Sequence, residues 1–102
     1  MTIQLLYFPG CPHHERARRS VRAAIALAGL PATFEELDTT AATTPAPLAR
    51  WGSPTVLVDG VDVGGAHAPT GATCRLYPEG GAPTTSMVLA AIRARRQPGA
   101  RP

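Results

Sequence analysis

Thr2-Ile3-Gln4-Leu5-Leu6-Tyr7-Phe8-Pro9-Gly10-Cys11-Pro12-His13-His14 is the stretch on which the fold turns. Thr2 to Phe8 is a nearly continuous apolar run ending in two aromatics, the pattern of a short strand buried on both faces. Pro9-Gly10 ends it. From Pro12 to about Gly29 the period changes, with Ala17, Val21, Ala24, Ile25 and Ala28 recurring every three or four residues along one helical face. Pro12 suits a first helical position, and Gly29-Leu30-Pro31 is a stop signal. The opposite face is rich in arginine, and Glu15 precedes Arg18 and Arg19 at helical spacing, which adds a few tenths of a kcal/mol per pair.

Working outward, Ala32 to Leu37 alternates around Phe34 and predicts a second strand parallel to the first, completing a βαβ unit. Asp38 to Pro47 has no apolar period and reads as a loop, followed by one helical turn at Leu48 to Trp51. A β-branched strand headed by Pro54 then runs to Val58, Asp59-Gly60 makes a two-residue hairpin turn, and Val61 to Val63 returns antiparallel. Gly64 to Thr73 is a loop containing His67; after Cys74-Arg75-Leu76-Tyr77, Pro83 or Thr84 opens a last helix with Met87, Val88, Ala91 and Ile92 on one face. The order β-α-β-(short α)-β-β-α predicts an α/β domain, a mixed four-stranded sheet flanked by helices. Residues 1–97 are expected to form this single domain, with 98–102 as a flexible tail.

Composition narrows the function classes. Of 102 residues 44% are hydrophobic and 17% charged, enough apolar content for a true core and too much for a disordered chain. No apolar run reaches the roughly 20 residues of a membrane span, and the first strand lacks a basic flank and stops too early for a signal peptide, so a cytoplasmic protein is expected. The net charge of +3 comes entirely from arginine, lysine being absent, as GC-rich coding favours. Arg16, Arg18, Arg19 and Arg22 form a basic run without interleaved aromatics, so no nucleic-acid partner is expected, and no membrane partner either.

Cys11 carries the chemical interest, because it stands where a strand hands over to a helix. Free amide groups and the positive end of the helix dipole converge at such a point, and both favour a thiolate. His13 and His14 in the same turn would add to that effect when protonated. The alternative is that Cys11 packs as a small hydrophobe.

Tyr7-Phe8-Pro9-Gly10-Cys11-Pro12-His13-His14, with Gly52-Ser53-Pro54-Thr55-Val56 later, resembles the thioredoxin/glutaredoxin superfamily. Over most of the chain, Cys74-Arg75-Leu76-Tyr77 included, it resembles small bacterial thioredoxin-family proteins, some of them described as alkylmercury-lyase-like. The resemblance implies a thioredoxin-like fold, a cis Ser53–Pro54 bond beside Cys11, and a substrate groove shaped by Pro12, Ser53 and Pro54. It also marks a departure, since His14 occupies the position of the resolving cysteine. The expected chemistry is therefore monothiol redox or thiol transfer through Cys11, with a protein disulfide or a low-molecular-weight thiol as partner. His14 and Cys74 are the other candidate catalytic residues, Cys74 as a resolving thiol from elsewhere in the fold.

Two other readings accompany this one. Cys11 and Cys74, with His14, offer thiolate and imidazole donors to a soft ion or an organomercurial, but no Cys-x-x-Cys or His-x-x-x-His spacing supports them, and no metal or cofactor is expected. The other is a non-catalytic module that keeps the fold for protein contacts. His67 reads as a surface residue, and Trp51 as either a core plug or a wall of the thiol groove.

Overall fold

The computed structural model describes residues 1–31, 33–66, 68–69, 71, 76–78 and 80–96. Ile3–Tyr7 form β1, His14–Leu27 α1, Glu35–Asp38 β2, Ala46–Ala49 α2, Thr55–Val58 β3, Val61–Asp62 β4 and Thr85–Arg96 α3. The sheet order is β2-β1-β3-β4. β1 runs parallel to β2 and antiparallel to β3, and β3 runs antiparallel to β4. The described residues thus form an α/β fold, with a mixed four-stranded sheet and three helices.

Connection length decides these directions. A parallel pair needs a long crossover, which α1 supplies between β1 and β2. β3 and β4 are joined by two residues, Asp59 (φ 50°) and Gly60 (φ 81°), both in the left-handed region that a type I′ turn requires. Asp59 also ties the turn to the chain start, its Oδ1 accepting the Thr2 N–H at 2.7 Å.

Period-two alternation divides the core. Ile3 and Leu5 of β1 join Val56 and Val58 of β3 in one cluster with Ala17, Val21, Ala24 and Ile25 of α1 and Val88 and Ile92 of α3. Burying each such Leu, Ile or Val contributes about 1.5–3 kcal/mol, so this face dominates cohesion. On the other face Leu6, Leu57 and Trp51 form a smaller cluster, edged by Leu37, Leu48 and Ala66. Trp51 is therefore a core plug.

Several boundaries move from the sequence reading. α1 begins at His14 rather than Pro12, because Pro12 and His13 lie in a separate turn closed by His14 N–H to the Cys11 carbonyl at 3.3 Å. It ends before Gly29 (φ 71°), where Gly29 N–H bonds the Ala26 carbonyl and Leu30 N–H the Ile25 carbonyl, a Schellman ending. α2 falls on Ala46–Ala49 instead of Leu48 to Trp51, since Pro47 fits the first turn, where a missing N–H costs nothing. The second strand starts at Glu35, leaving Phe34 before it. α3 starts after Thr84, whose Oγ1 accepts the Met87 N–H at 3.1 Å as an N-cap. Its buried residues are Val88 and Ile92, with Met87 and Ala91 half-buried. The expected tail falls outside the described residues.

Candidate functional site

Cys11 is held by two consecutive turns. Its N–H donates to the Phe8 carbonyl at 3.2 Å, closing Phe8-Pro9-Gly10-Cys11. Gly10, at φ 84°, supplies the positive φ that the third residue of such a turn demands, after a proline that presets the second. The Cys11 carbonyl in turn accepts the His14 N–H, so the side chains of Cys11 and His14 issue from one turn. Cys11 is a free cysteine with 9% of its surface exposed, and Pro12 beside it is exposed. This corrects one expectation: two of the amides at the strand–helix junction, those of Cys11 and His14, are engaged by carbonyls. His13, at the N-cap of α1, makes no side-chain cap.

The same turn is anchored to the sheet. The Phe8 N–H donates to Ser53 Oγ at 3.2 Å, and the Ser53–Pro54 peptide bond is cis. Thr55 Oγ1 donates to the Gly52 carbonyl at 2.7 Å, tightening the chain around that bond. Ser53 is fully buried and Pro54 nearly so. Sequence reasoning gave both a place in a substrate groove; in the structure the Ser53 hydroxyl supports the strand that delivers Cys11.

His14 lies half-buried in a polar cluster between α1 and the strands. Its ring stacks on Tyr7 of β1, centroids 4.0 Å apart and planes 9° from parallel. Its Nε2 lies 2.7 Å from Glu36 Oε2 on β2. Arg18, one helical turn on, grips the same carboxylate through Nε at 3.0 Å and 3.1 Å and through a terminal nitrogen at 2.9 Å. Arg18 also pairs with Glu15. Burial pushes the Glu36 carboxyl up, but the hydrogen bonds from Arg18 and His14 outweigh it and hold the group below the usual carboxylate range. Arg18 is correspondingly raised, first by its hydrogen bond to Glu36.

Sequence reasoning did not find Glu36 or its partnership with Arg18. One signal was available: Phe34 and Glu36 alternate onto one face, and Phe34 packs against the main core, so Glu36 is an acidic residue at an inward-facing position.

The segment before α3 lies against the start of α1. Tyr77 and Gly81 form an antiparallel bridge, and an Arg16 terminal nitrogen donates to the Gly80 carbonyl at 3.0 Å. At Gly81 (φ 84°) a Cβ would come 2.7 Å from His13 Nε2, so only glycine allows this approach. Tyr77 reaches beneath, its hydroxyl donating to Asp62 Oδ1 at 2.8 Å and accepting the Val56 N–H at 3.3 Å.

Cys74 and His67 lie outside the described residues, so the expected approach of Cys74 to Cys11 does too. Among the described residues no group of three His, Cys, Asp or Glu side chains could hold a metal ion. Nor, among them, is any helix long and apolar enough to cross a membrane. A shallow concavity of about 300 Å³, lined by Met1, Thr2, Ile3, Thr33, Phe34 and Glu35, opens at the far end of β1 from Cys11. No protein family, no curated protein and no solved structure matches the chain.

Proposed function

We propose that this chain is a small thioredoxin-like thiol protein in which Cys11 carries monothiol exchange. The observation that supports it best is the joining of three features at one end of the sheet. A free cysteine sits in the turn between β1 and α1, that turn hangs on Ser53 through Phe8, and Ser53 precedes a cis proline at the head of β3. The strand order β2-β1-β3-β4, with β1 parallel to β2 and antiparallel to β3, agrees with a thioredoxin-like arrangement.

In this reading the Cys11 thiolate attacks one sulfur of a substrate disulfide; that S–S bond breaks and the second sulfur leaves as a thiol after protonation. The mixed disulfide on Cys11 is then released by an external low-molecular-weight thiol, because His14 stands where a resolving cysteine would be. Such a cycle draws on a pool of small thiols, which suits a cytoplasmic protein.

The test is to treat the native chain with bis(2-hydroxyethyl) disulfide and follow the mass of the peptide bearing Cys11. A mixed disulfide there, formed faster than on an unstructured cysteine peptide and reversed by glutathione, is expected. Labelling of Cys11 only after denaturation overturns the reading.

A further inference from the structure

α1 and α3 share one core cluster, and their C-terminal ends flank a hollow of about 380 Å³ lined by Leu27, Ala28, Arg93 and Arg96. It lies at the end of α1 farthest from Cys11. Basic residues in a last helical turn complement the helix dipole, and that alone would explain arginine at these positions. Their partners say more. Arg95 is paired with Asp59, and a terminal nitrogen of Arg96 donates to the Ala28 carbonyl at 2.6 Å, closing the end of α1. A guanidinium carries several N–H donors in a planar fork, so most of those on Arg96 find no partner among the described residues. Arg93 has no hydrogen bond or ion pair with any described residue, and the carboxylates that hold arginines elsewhere, Glu15, Glu36 and Asp59, are engaged with Arg18 and Arg95. Leu27, in the same hollow, is 65% exposed, so a large aliphatic side chain stands in water beside two cations.

We propose that this hollow docks an acidic segment of another protein, whose carboxylates pair with Arg93 and Arg96 while an apolar side chain of the same segment covers Leu27. The planar fork of arginine suits this pairing, because it meets a carboxylate through two parallel hydrogen bonds. A free anion would engage the arginines and leave Leu27 in water, and the hollow is too open to enclose a small molecule, which needs most of its surface buried. A lipid surface asks for a wide apolar face to insert, whereas the exposed neighbours of Leu27 on α1, Ala23 and Ala26, are small. Nucleic acid would meet the cations but gain nothing from the leucine, and the hollow has no aromatic ring on which a base could stack. This docking is independent of the reactivity of Cys11.

The experiment titrates the full chain into fluorescein-labelled peptides built on the repeats Glu-Glu-Leu, Gln-Gln-Leu and Lys-Lys-Leu and follows their anisotropy. Only the Glu-Glu-Leu peptide is expected to bind, and more weakly as salt is raised. Arg93→Glu should weaken it about tenfold and Leu27→Ser about threefold. Arg50→Glu, the same charge reversal at an exposed arginine ending α2, should leave it unchanged. Equal losses in Arg93→Glu and Arg50→Glu make net charge the cause and overturn the site. Failure of the Glu-Glu-Leu peptide to bind, or equal binding of either control peptide, overturns it as well. Tighter binding of a DNA duplex or of phosphatidylserine vesicles, lost in Arg93→Glu, overturns the choice of a peptide. Independently of any variant's folding, ¹⁵N chemical shifts of the unsubstituted chain on adding the Glu-Glu-Leu peptide should move most at Leu27, Ala28, Arg93 and Arg96; movement centred elsewhere overturns the proposal.

Discussion

On one face of the sheet Ile3, Leu5, Val56 and Val58 meet two long helices; on the other, Leu6 and Leu57 meet Trp51 and a helix of four residues. The first face is closed by side chains almost wholly withdrawn from water, drawn from four elements. The second relies on one large ring, with Leu37, Leu48 and Ala66 only half covered at its margin. A thick face tolerates no empty space because its neighbours are pinned from several sides. A thin one can settle inward or admit water. The polar cluster of His14, Arg18 and Glu36 sits at the rim of the thick face, joining α1 to β1 and β2.

The sharpest way to break this contrast is to empty each face in turn. Leu5→Ala, beneath both long helices and 0% exposed, is expected to cost about 4 kcal/mol in urea unfolding. Trp51→Ala removes a far larger side chain yet should cost about 3 kcal/mol, since its surroundings are free to collapse. If the tryptophan variant proves the less stable of the two, the thin face is the main support and the contrast is reversed.

A smaller effect tests the rim. The folded state holds Glu36 below its ordinary value, so the stabilisation is present above the unfolded pKa of about 4.3 and is lost as pH falls through the lower folded value. Glu36→Gln should therefore destabilise by about 1 kcal/mol at neutral pH, and the gap from the unsubstituted protein should close as both are acidified. Paired urea curves near pH 7 and near pH 3 measure this. A gap that stays constant would assign the loss to packing rather than charge.

The parts of the molecule legible in the sequence are those set by short-range pattern. The period of Ala17, Val21, Ala24 and Ile25 found the buried stripe of α1, and Asp59-Gly60 found the β-hairpin, because each is decided within a few residues. Helix starts were displaced by two residues wherever proline intervened, as at Pro12 and Pro47, since proline accommodates either a turn or a first helical position. At the candidate site, Cys11 and the Ser53–Pro54 pair stood out as chemical types. Glu36 did not, because its meaning depends on the register that sets Glu36 opposite Leu5 of β1, a long-range fact no local window contains. The fate of the Ser53 hydroxyl was hidden for the same reason.

One consequence follows from the hydroxyl of Tyr77. β4 is only two residues long, and just past it the Val63 N–H still bonds the Val56 carbonyl at 3.0 Å, leaving the Val56 N–H to a side-chain partner. The phenol accepts that hydrogen instead while Asp62 holds it from the other side. A single aromatic side chain thus buttons the narrowest strand to its neighbour, completing the ladder where the backbone of β4 runs out.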